Sequence, residues 1–199
     1  MAQEEKEADS TVIYPKRSYT TTTVQGLEPI KIDGSLNDPA WATVEWTSDY
    51  VEWEPDNATP PTQQTKMKVV YDDKNLYLAF YCLEPNPENI IQRMGRRDDF
   101  PGDWIEVNID SYNDDRTAFS FTTSVSGVKG DEFVSNNGNN WDVSWNPIWY
   151  VKTSMVADGW VAELRIPLSQ LRFGNDAEQV WGIQSTRRYF SKEERSTWQ

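Results

Sequence analysis

The sequence predicts an all-β fold, an antiparallel β-sandwich of jelly-roll-like form with one or two short helical turns. Three observations lead to this prediction. About nine short stretches carry strand patterns, turn signals separate them at close intervals, and no helical period lasts longer than two turns. Many short strands joined by frequent turns are typical of sandwiches and jelly rolls.

The elements follow in chain order from a polar start. Residues 1–26 are polar with a threonine run, and we predict a flexible leader there, followed by one sandwich domain over residues 27–199. Asp38 as N-cap and Pro39 at the first helical position predict a single helical turn. A second short turn is predicted at residues 167–171.

Alternation and intervening turns define the strands. Residues 66–71 and 76–83 flank a polar turn and predict a hairpin, whose second strand is apolar on both faces. Residues 148–155 and 160–166 predict a second hairpin. The remaining strands are predicted at residues 30–32, 43–53, 104–110, 117–125 and 180–189, and residues 195–199 are compatible with the start of another.

Composition excludes several classes of function. The chain has 199 residues, with 19 Lys+Arg, 32 Asp+Glu and a formal net charge of −13, so its surface repels the phosphates of nucleic acids. The absence of histidine and the single Cys82 exclude a Ser-His-Asp triad, a His-ligated zinc and an internal disulfide. No run of about 18 apolar residues is present, so no membrane-spanning helix is predicted. Ten tryptophans remain to be explained.

The stretch at 104–110 is the first candidate site. Its strict alternation places Trp104, Glu106 and Asn108 on one face of the strand and Ile105, Val107 and Ile109 on the other. A ring beside a carboxylate and an amide is what a sugar site needs, because the ring covers C–H groups and the polar groups bind hydroxyls. The alternative is that Trp104 fills a second core layer and Glu106 pairs with a surface cation.

A second candidate lies behind an Asn- and Gly-rich loop. Trp141, Trp145 and Trp149 recur at spacing four, and we expect Trp141 to be exposed and Trp149 to be buried. Exposed aromatic side chains on loops are frequent in ligand contacts, so Trp141 and Trp145 are taken as binding candidates. The alternative, that these rings only clamp the loop, stays open.

Oxygen-bearing side chains cluster after the 104–110 strand. Asp110, Asn113, Asp114 and Asp115 could hold a structural Ca²⁺ ion, which takes oxygen ligands in flexible geometry. The spacing is not that of an EF-hand, and an acidic hairpin turn is the more frequent meaning of such a cluster.

Other charged residues suggest binding rather than catalysis. The pairs Asp103/Glu106 and Asp131/Glu132 could be offered as glycosidase carboxyls, but such a site needs a set separation and one raised pKa, which sequence does not show. We therefore predict no catalysis. Arg188 is expected either in an internal ion pair or as a multi-donor contact to sugar hydroxyls.

Four motifs in order resemble a family 9 carbohydrate-binding module. They are residues 32–41 (IDGSLNDPAW), 69–78 (VVYDDKNLYL), 102–110 (GDWIEVNID) and 159–168 (GWVAELRIPL), and the resemblance spans residues 28–199. It implies a β-sandwich that binds sugar between aromatic rings, with Ca²⁺ as structural support.

The resemblance also assigns roles to residues. It implies that Glu106 contacts sugar hydroxyls and that Phe100 stacks on the sugar, with Trp104 as a nearby substitute. Two features depart from the family: the position of a hydroxyl-binding arginine falls near Ser120, and a second stacking ring is expected at or beyond Trp198.

A narrower likeness concerns cellular context. Residues 181–198 resemble the N-terminal module of large outer-membrane-associated proteins of Bacteroidetes-type bacteria, in which a barrel-like C-terminal region follows. The segment 1–11 lacks the features of a signal peptide and is typical of a processed N-terminus. We therefore expect a fragment of a longer secreted, periplasmic or outer-membrane-associated protein.

Two functions follow as expectations. The first is a non-catalytic carbohydrate-binding module with an exposed ring beside Glu106. The second is an interaction or structural domain that keeps the fold without sugar binding, in which Trp104 is buried and an apolar patch meets another region of the parent chain.

Overall fold

The structure, a computed structural model, describes residues 16–199. Within this range the backbone forms eleven strands and four short 3₁₀ helices. The strands are β1 (Val51–Glu54), β2 (Thr65–Tyr71), β3 (Asn75–Leu83), β4 (Trp104–Asp110), β5 (Ala118–Ser124), β6 (Lys129–Ser135), β7 (Asn140–Asp142), β8 (Tyr150–Val156), β9 (Gly159–Pro167), β10 (Gly182–Tyr189) and β11 (Glu194–Trp198). The 3₁₀ helices are Pro39–Thr43, Pro87–Asn89, Leu168–Gln170 and Phe190–Lys192.

The strands form two antiparallel sheets. The larger sheet has seven strands in the order β1-β11-β10-β4-β5-β6-β7, and the smaller has four in the order β2-β3-β9-β8. Their facing sides share one apolar core, so the predicted all-β sandwich is confirmed. The two helical turns predicted near residues 39 and 168 are present as 3₁₀ helices.

The core is built from alternate residues of both sheets. Ile105, Val107 and Ile109 of β4 point inward and are buried, as the alternation predicts. Leu78 and Phe80 of β3 meet them from the smaller sheet. Trp149 is buried as expected, and Trp160 and Trp198 also lie in this core.

Strand β3 is buried on both faces because a second apolar cluster covers the outer side of the smaller sheet. Tyr77 and Ala79 of β3 pack there against Val24, Ile30 and Trp41 from the N-terminal segment. The apolar character of both faces of this strand, visible in the sequence, thus reflects a covered sheet.

A buried carboxylate fastens the N-terminal segment to the smaller sheet. Glu163 of β9 accepts hydrogen bonds from the backbone N–H groups of Asp33 (3.2 Å) and Gly34 (2.8 Å) and from Trp41 Nε1 (3.0 Å). Gly34 has a φ of 86°, and a Cβ there would lie 2.4 Å from Ser154 Oγ. Only glycine fits this turn, which explains the Asp-Gly pair in the sequence.

Part of the segment predicted as a leader lies on the smaller sheet. Thr21 Oγ1 donates to the carbonyl of Val69 (2.6 Å), and the N–H of Val24 donates to the carbonyl of Tyr71 (2.8 Å). Residues 21–24 therefore cover the edge of β2. Residues 1–15 of the predicted leader lie outside the described residues.

The strand boundaries differ from the sequence prediction in three places. Residues 30–32 are not a strand but carry Ile30 into the outer cluster, and only the end of 43–53 is extended, as β1. Strands β6 and β7 have no counterpart in the prediction. Polar and charged residues dominate both, so their sequences lack the apolar alternation that marks a strand.

A second buried acidic group lies where β4 begins. Asp103 Oδ2 accepts the N–H of Ile91 at 2.7 Å, whereas its Oδ1 has no hydrogen-bond partner within the described chain. Burial raises the pKa of Asp103 to about 6, although the backbone hydrogen bond from Ile91 and the nearby Arg187 guanidinium lower it. The buried Arg187 itself donates to the carbonyl of Leu83 (3.0 Å).

No helix within residues 16–199 has the length and apolar character required to cross a membrane.

Replacing Glu163 with Ala should lower the free energy of unfolding by about 3 kcal/mol, because buried donors lose their acceptor. Urea denaturation followed by tryptophan fluorescence measures this change, and hydrogen exchange should rise at residues 33–41. The matched control is Glu28→Ala, since Glu28 is exposed. Equal stability of the two variants would contradict the anchoring role.

The free energy of unfolding of Asp103→Asn, relative to that of the parent protein, should increase as the pH rises. The pKa of Asp103 in the folded state lies above its unfolded value, so its contribution to stability is present below about pH 4 and is lost as the pH rises through about 6. The difference in free energy of unfolding, variant minus parent, should increase by about 2–3 kcal/mol between pH 4 and 7.5. A difference that stays constant in urea denaturation over this range would contradict the assignment.

Candidate functional site

The outer face of the larger sheet carries the first sequence candidate. Trp104, Glu106 and Asn108 point away from the core on β4. In register, Glu106 pairs with Thr122 of β5 and Thr186 of β10. Because β4 has three strands on each side in the sheet order, this group lies at the middle of the face.

A cavity of about 550 Å³ opens on this face. Three tryptophans line it, one from each end of the sheet and one from its middle: Trp53 of β1, Trp141 of β7 and Trp104. Neighbouring strands lie about 4.8 Å apart, so Trp104 is about 14 Å along the sheet from either edge strand. The cavity therefore presents a row of rings across the sheet.

The rings are held by local contacts. Trp141 is 42% exposed, as the sequence predicts for this ring, and its Nε1 donates to the carbonyl of Gly138 (2.8 Å). Trp104 is half-buried and lies 6.5 Å from the Phe100 ring between centroids. The guanidinium of Arg195 lies 5.6 Å from the Trp53 ring centroid.

Polar acceptors form the floor between the rings. Glu106 Oε1 accepts from Asn108 Nδ2 (2.8 Å), and Glu106 Oε2 accepts from Thr122 Oγ1 (3.3 Å). Burial raises the pKa of Glu106, the hydrogen bond from Asn108 lowers it, and the charge of Glu132 raises it again. Asn108 Oδ1 is buried and has no hydrogen-bond donor among residues 16–199.

Two charged residues of the cavity were not predicted from the sequence as binding residues. Glu132 of β6 and Arg195 of β11 both line it. Arg195 Nη1 forms an ion pair with Glu54 Oε2 at 3.2 Å. Burial raises the pKa of Glu132, and the nearby Asp98 and Asp131 raise it further. Alternation could have identified Glu132. Adjacent residues of a strand face opposite sides, so Asp131 points inward and Glu132 points outward.

Arg195 supplies the cavity with a guanidinium donor that the sequence did not predict. The resemblance placed a hydroxyl-binding arginine near Ser120, and Ser120 carries no such donor. The structure brings Arg195 to the same cavity from a different strand. Sequence position did not indicate this, because β11 reaches the face by pairing between β1 and β10.

Three of the predicted binding residues do not line the cavity. Trp145 packs on Phe119 and Phe121 with centroid distances of 5.1 and 5.6 Å, which places it against the core. Its spacing from Trp141 does not keep it on the same face, because residues 143–149 lie outside any strand.

Phe100 and Arg188 lie near the cavity without lining it. The Phe100 ring packs on Gly130, where a Cβ would meet Phe100 Cζ at 2.5 Å, and it also contacts the Trp104 ring. Arg188 pairs in register with Trp104, but its Nη1 donates to the carbonyl of Glu193 at 2.6 Å.

The four residues predicted to hold Ca²⁺ form a tight turn. Asp110 Oδ1 and Oδ2 accept the N–H groups of Tyr112 (3.2 Å) and Asp115 (2.8 Å), and Asp114 Oδ1 accepts that of Arg116 (2.8 Å). Within residues 16–199 no group of three or more acidic, cysteine or histidine side chains is arranged to hold a metal ion. The turn, including Asn113, does not fit a ready cation site, and calcium binding stays a prediction.

The carboxylate pairs considered for glycosidase chemistry do not face each other. Asp131 is buried and accepts from Trp149 Nε1 at 2.9 Å, whereas Glu132 lines the cavity. Asp103 is buried at the start of β4, whereas Glu106 points outward. Neither pair spans a common cleft.

Comparisons with known proteins agree with this architecture. A family model described as carbohydrate family 9 binding domain-like matches residues 32–194. The fold is similar to that of a family 9 carbohydrate binding module from Caldicellulosiruptor kristjanssonii, solved in complex with glucose and with cellotriose. Both structures have a TM-score of 0.63 and 18% identity over 90% of this chain, and the matches cover 84% and 82% of those chains.

A Bacteroides uniformis protein shows the same fold at a TM-score of 0.65 and 12% identity, with 91% of this chain and 90% of that chain covered. At these identities the likeness concerns the fold. No curated protein matches the chain in sequence.

Proposed function

We propose, because the chain belongs to the carbohydrate family 9 binding domain-like family, that the outer face of its larger sheet is a non-catalytic carbohydrate-binding surface. One observation carries the proposal. Trp104, Glu106 and Asn108 share a cavity in which a buried amide oxygen has no donor from the described chain. Buried acceptors normally find a donor, so this one is suited to a ligand hydroxyl.

Different side chains of the cavity bind different groups of the sugar. The half-buried Trp104 ring supplies an apolar plate for the C–H face of a pyranose. Glu106 and Asn108 Oδ1 accept from hydroxyls, while Arg195 donates to hydroxyl oxygens. Glu106 is fixed by Asn108 Nδ2 and Thr122 Oγ1, so little conformational entropy is lost when the sugar binds.

The row of rings favours a chain of sugars over a single one. Trp53, Trp104 and Trp141 line the same cavity from strands at the two edges and the middle of the sheet. Rings this far apart can contact separate pyranoses of one sugar chain. The glucose and cellotriose bound to the Caldicellulosiruptor module are therefore the first ligands to test.

The alternative, an interaction or structural domain without a sugar site, predicts a buried Trp104 and an apolar face. Trp104 is instead half-buried and lines a cavity with charged and amide side chains. This observation favours sugar binding.

The cellular context is part of the same proposal. The resemblance of residues 181–198 supports a secreted, periplasmic or outer-membrane-associated parent protein with a further C-terminal region. In that setting this domain would hold the parent protein on glycans, and any glycan breakdown would belong to other parts of the chain or to partners.

Titration with glucose and with cello-oligosaccharides should change tryptophan fluorescence, because rings at the cavity are covered on binding. Trp104→Ala and Glu106→Gln should each weaken the affinity about tenfold, through loss of stacking and of a charge-assisted hydrogen bond. The matched control is Tyr71→Ala, since Tyr71 is 39% exposed on the smaller sheet and should leave the affinity unchanged.

A folded protein that responds to no sugar in a broad glycan panel would contradict the proposal and favour the interaction domain. Thermal denaturation in calcium and in a chelator tests the calcium prediction. Calcium should raise the thermal midpoint, and Asp114→Asn should abolish this rise.

A further inference from the structure

The charge of the cavity is not balanced. Among residues 16–199, the ionisable side chains that line it are Glu106, Glu132 and Arg195, and no lysine of this range lines it. The ion pairs described within residues 16–199 join Arg97 to Asp131 and Arg195 to Glu54, so the one cation of the cavity is already paired. Neither Glu106 nor Glu132 belongs to an ion pair there.

The surroundings of both carboxylates add negative charge. Within the described part of the chain, Glu106 accepts only from the neutral side chains of Asn108 and Thr122. The charge of Glu132 acts on Glu106, Asp98 and Asp131 act on Glu132, and Arg195 opposes them at Glu106. Burial and these like charges raise the pKa of both groups. A cation in the cavity would relieve this unfavourable energy.

The unpartnered acceptor, Asn108 Oδ1, also favours a cationic ligand. Asn108 is 7% exposed, lines the cavity and lacks a donor on Oδ1 within the described chain. Register places it across Ser120 from Glu132, so these acceptors lie on one row of the sheet. An ammonium group brings three donors and no acceptor, whereas a hydroxyl brings one donor.

We propose that the cavity prefers sugars that carry a free, protonated amine over neutral sugars of the same linkage, with Glu132 as the residue that determines this preference. The proposal rests on the proposed carbohydrate-binding function and names its ligand class. The rings hold the pyranose, and the ammonium lies among the carboxylates and Asn108 Oδ1. A sugar carboxylate would meet two like charges and is disfavoured.

The test uses β-1,4-linked tetrasaccharides of glucosamine, N-acetylglucosamine and glucose, titrated calorimetrically at pH 6 in low salt. The glucosamine oligomer should bind about tenfold more tightly than the glucose oligomer, since a charge-assisted hydrogen bond is roughly twice as strong as a neutral one. The N-acetylated oligomer, which has no charge, should lack this advantage. Raising the salt concentration should reduce the ratio of affinities.

Two variants separate the site from the net charge of −13. Glu132→Gln should reduce the ratio of the glucosamine and glucose affinities to below about threefold. Glu28→Gln changes the net charge equally at an exposed residue of the N-terminal segment, which packs on the other sheet, and should leave the ratio unchanged.

Each other outcome has a defined meaning. Equal affinity for the glucosamine and glucose oligomers overturns the preference and leaves the carbohydrate-binding proposal standing. An equal loss of the ratio in both variants shows general charge attraction and also overturns it. If none of the three oligomers binds, this inference is overturned, and the glycan panel then decides the carbohydrate-binding proposal itself.

Discussion

The alternation of β4 is the constraint on which the rest of the structure depends. This strand is hydrogen-bonded to β5 on one side and β10 on the other, so its register is fixed by two partners. Ile105, Val107 and Ile109 are therefore committed to the core, and the residues between them are committed to the outer face. A slip of one residue would bury Glu106 in the apolar core, which is energetically prohibitive. Core packing thus holds the candidate site in place.

Two glutamates, the buried Glu163 and the half-buried Glu106, show how similar groups serve different purposes. Glu163 receives three hydrogen bonds from the chain and joins the N-terminal segment to the smaller sheet. Glu106 receives two from neutral side chains at the floor of a cavity, next to an amide oxygen without a donor. The first group is satisfied by the fold, whereas the second leaves acceptor capacity for a ligand.

The sequence was sufficient for features that depend on local pattern. The faces of β4, the hairpin β2–β3, the burial of Trp149 and the exposure of Trp141 all follow from alternation or from position beside a loop. Features that depend on strand order were inaccessible. Glu132, Arg195 and Trp53 reach the cavity because β6, β11 and β1 join the same sheet as β4 through a strand order that no local pattern encodes. Trp145 shows the opposite case, since spacing in an irregular segment does not define a face.

The position of β11 has a consequence for the time course of folding. Val51 of β1 pairs with Thr197, so β1 joins the larger sheet only through a strand near residue 199. Contacts of such long sequence separation form late and slow the folding of β proteins. During synthesis β1 has no partner in the larger sheet until β11 has left the ribosome, and the wall of the cavity formed by Trp53 and Arg195 is absent until then. Binding competence is therefore acquired only after β11 has emerged, well after the β2–β3 hairpin has been made.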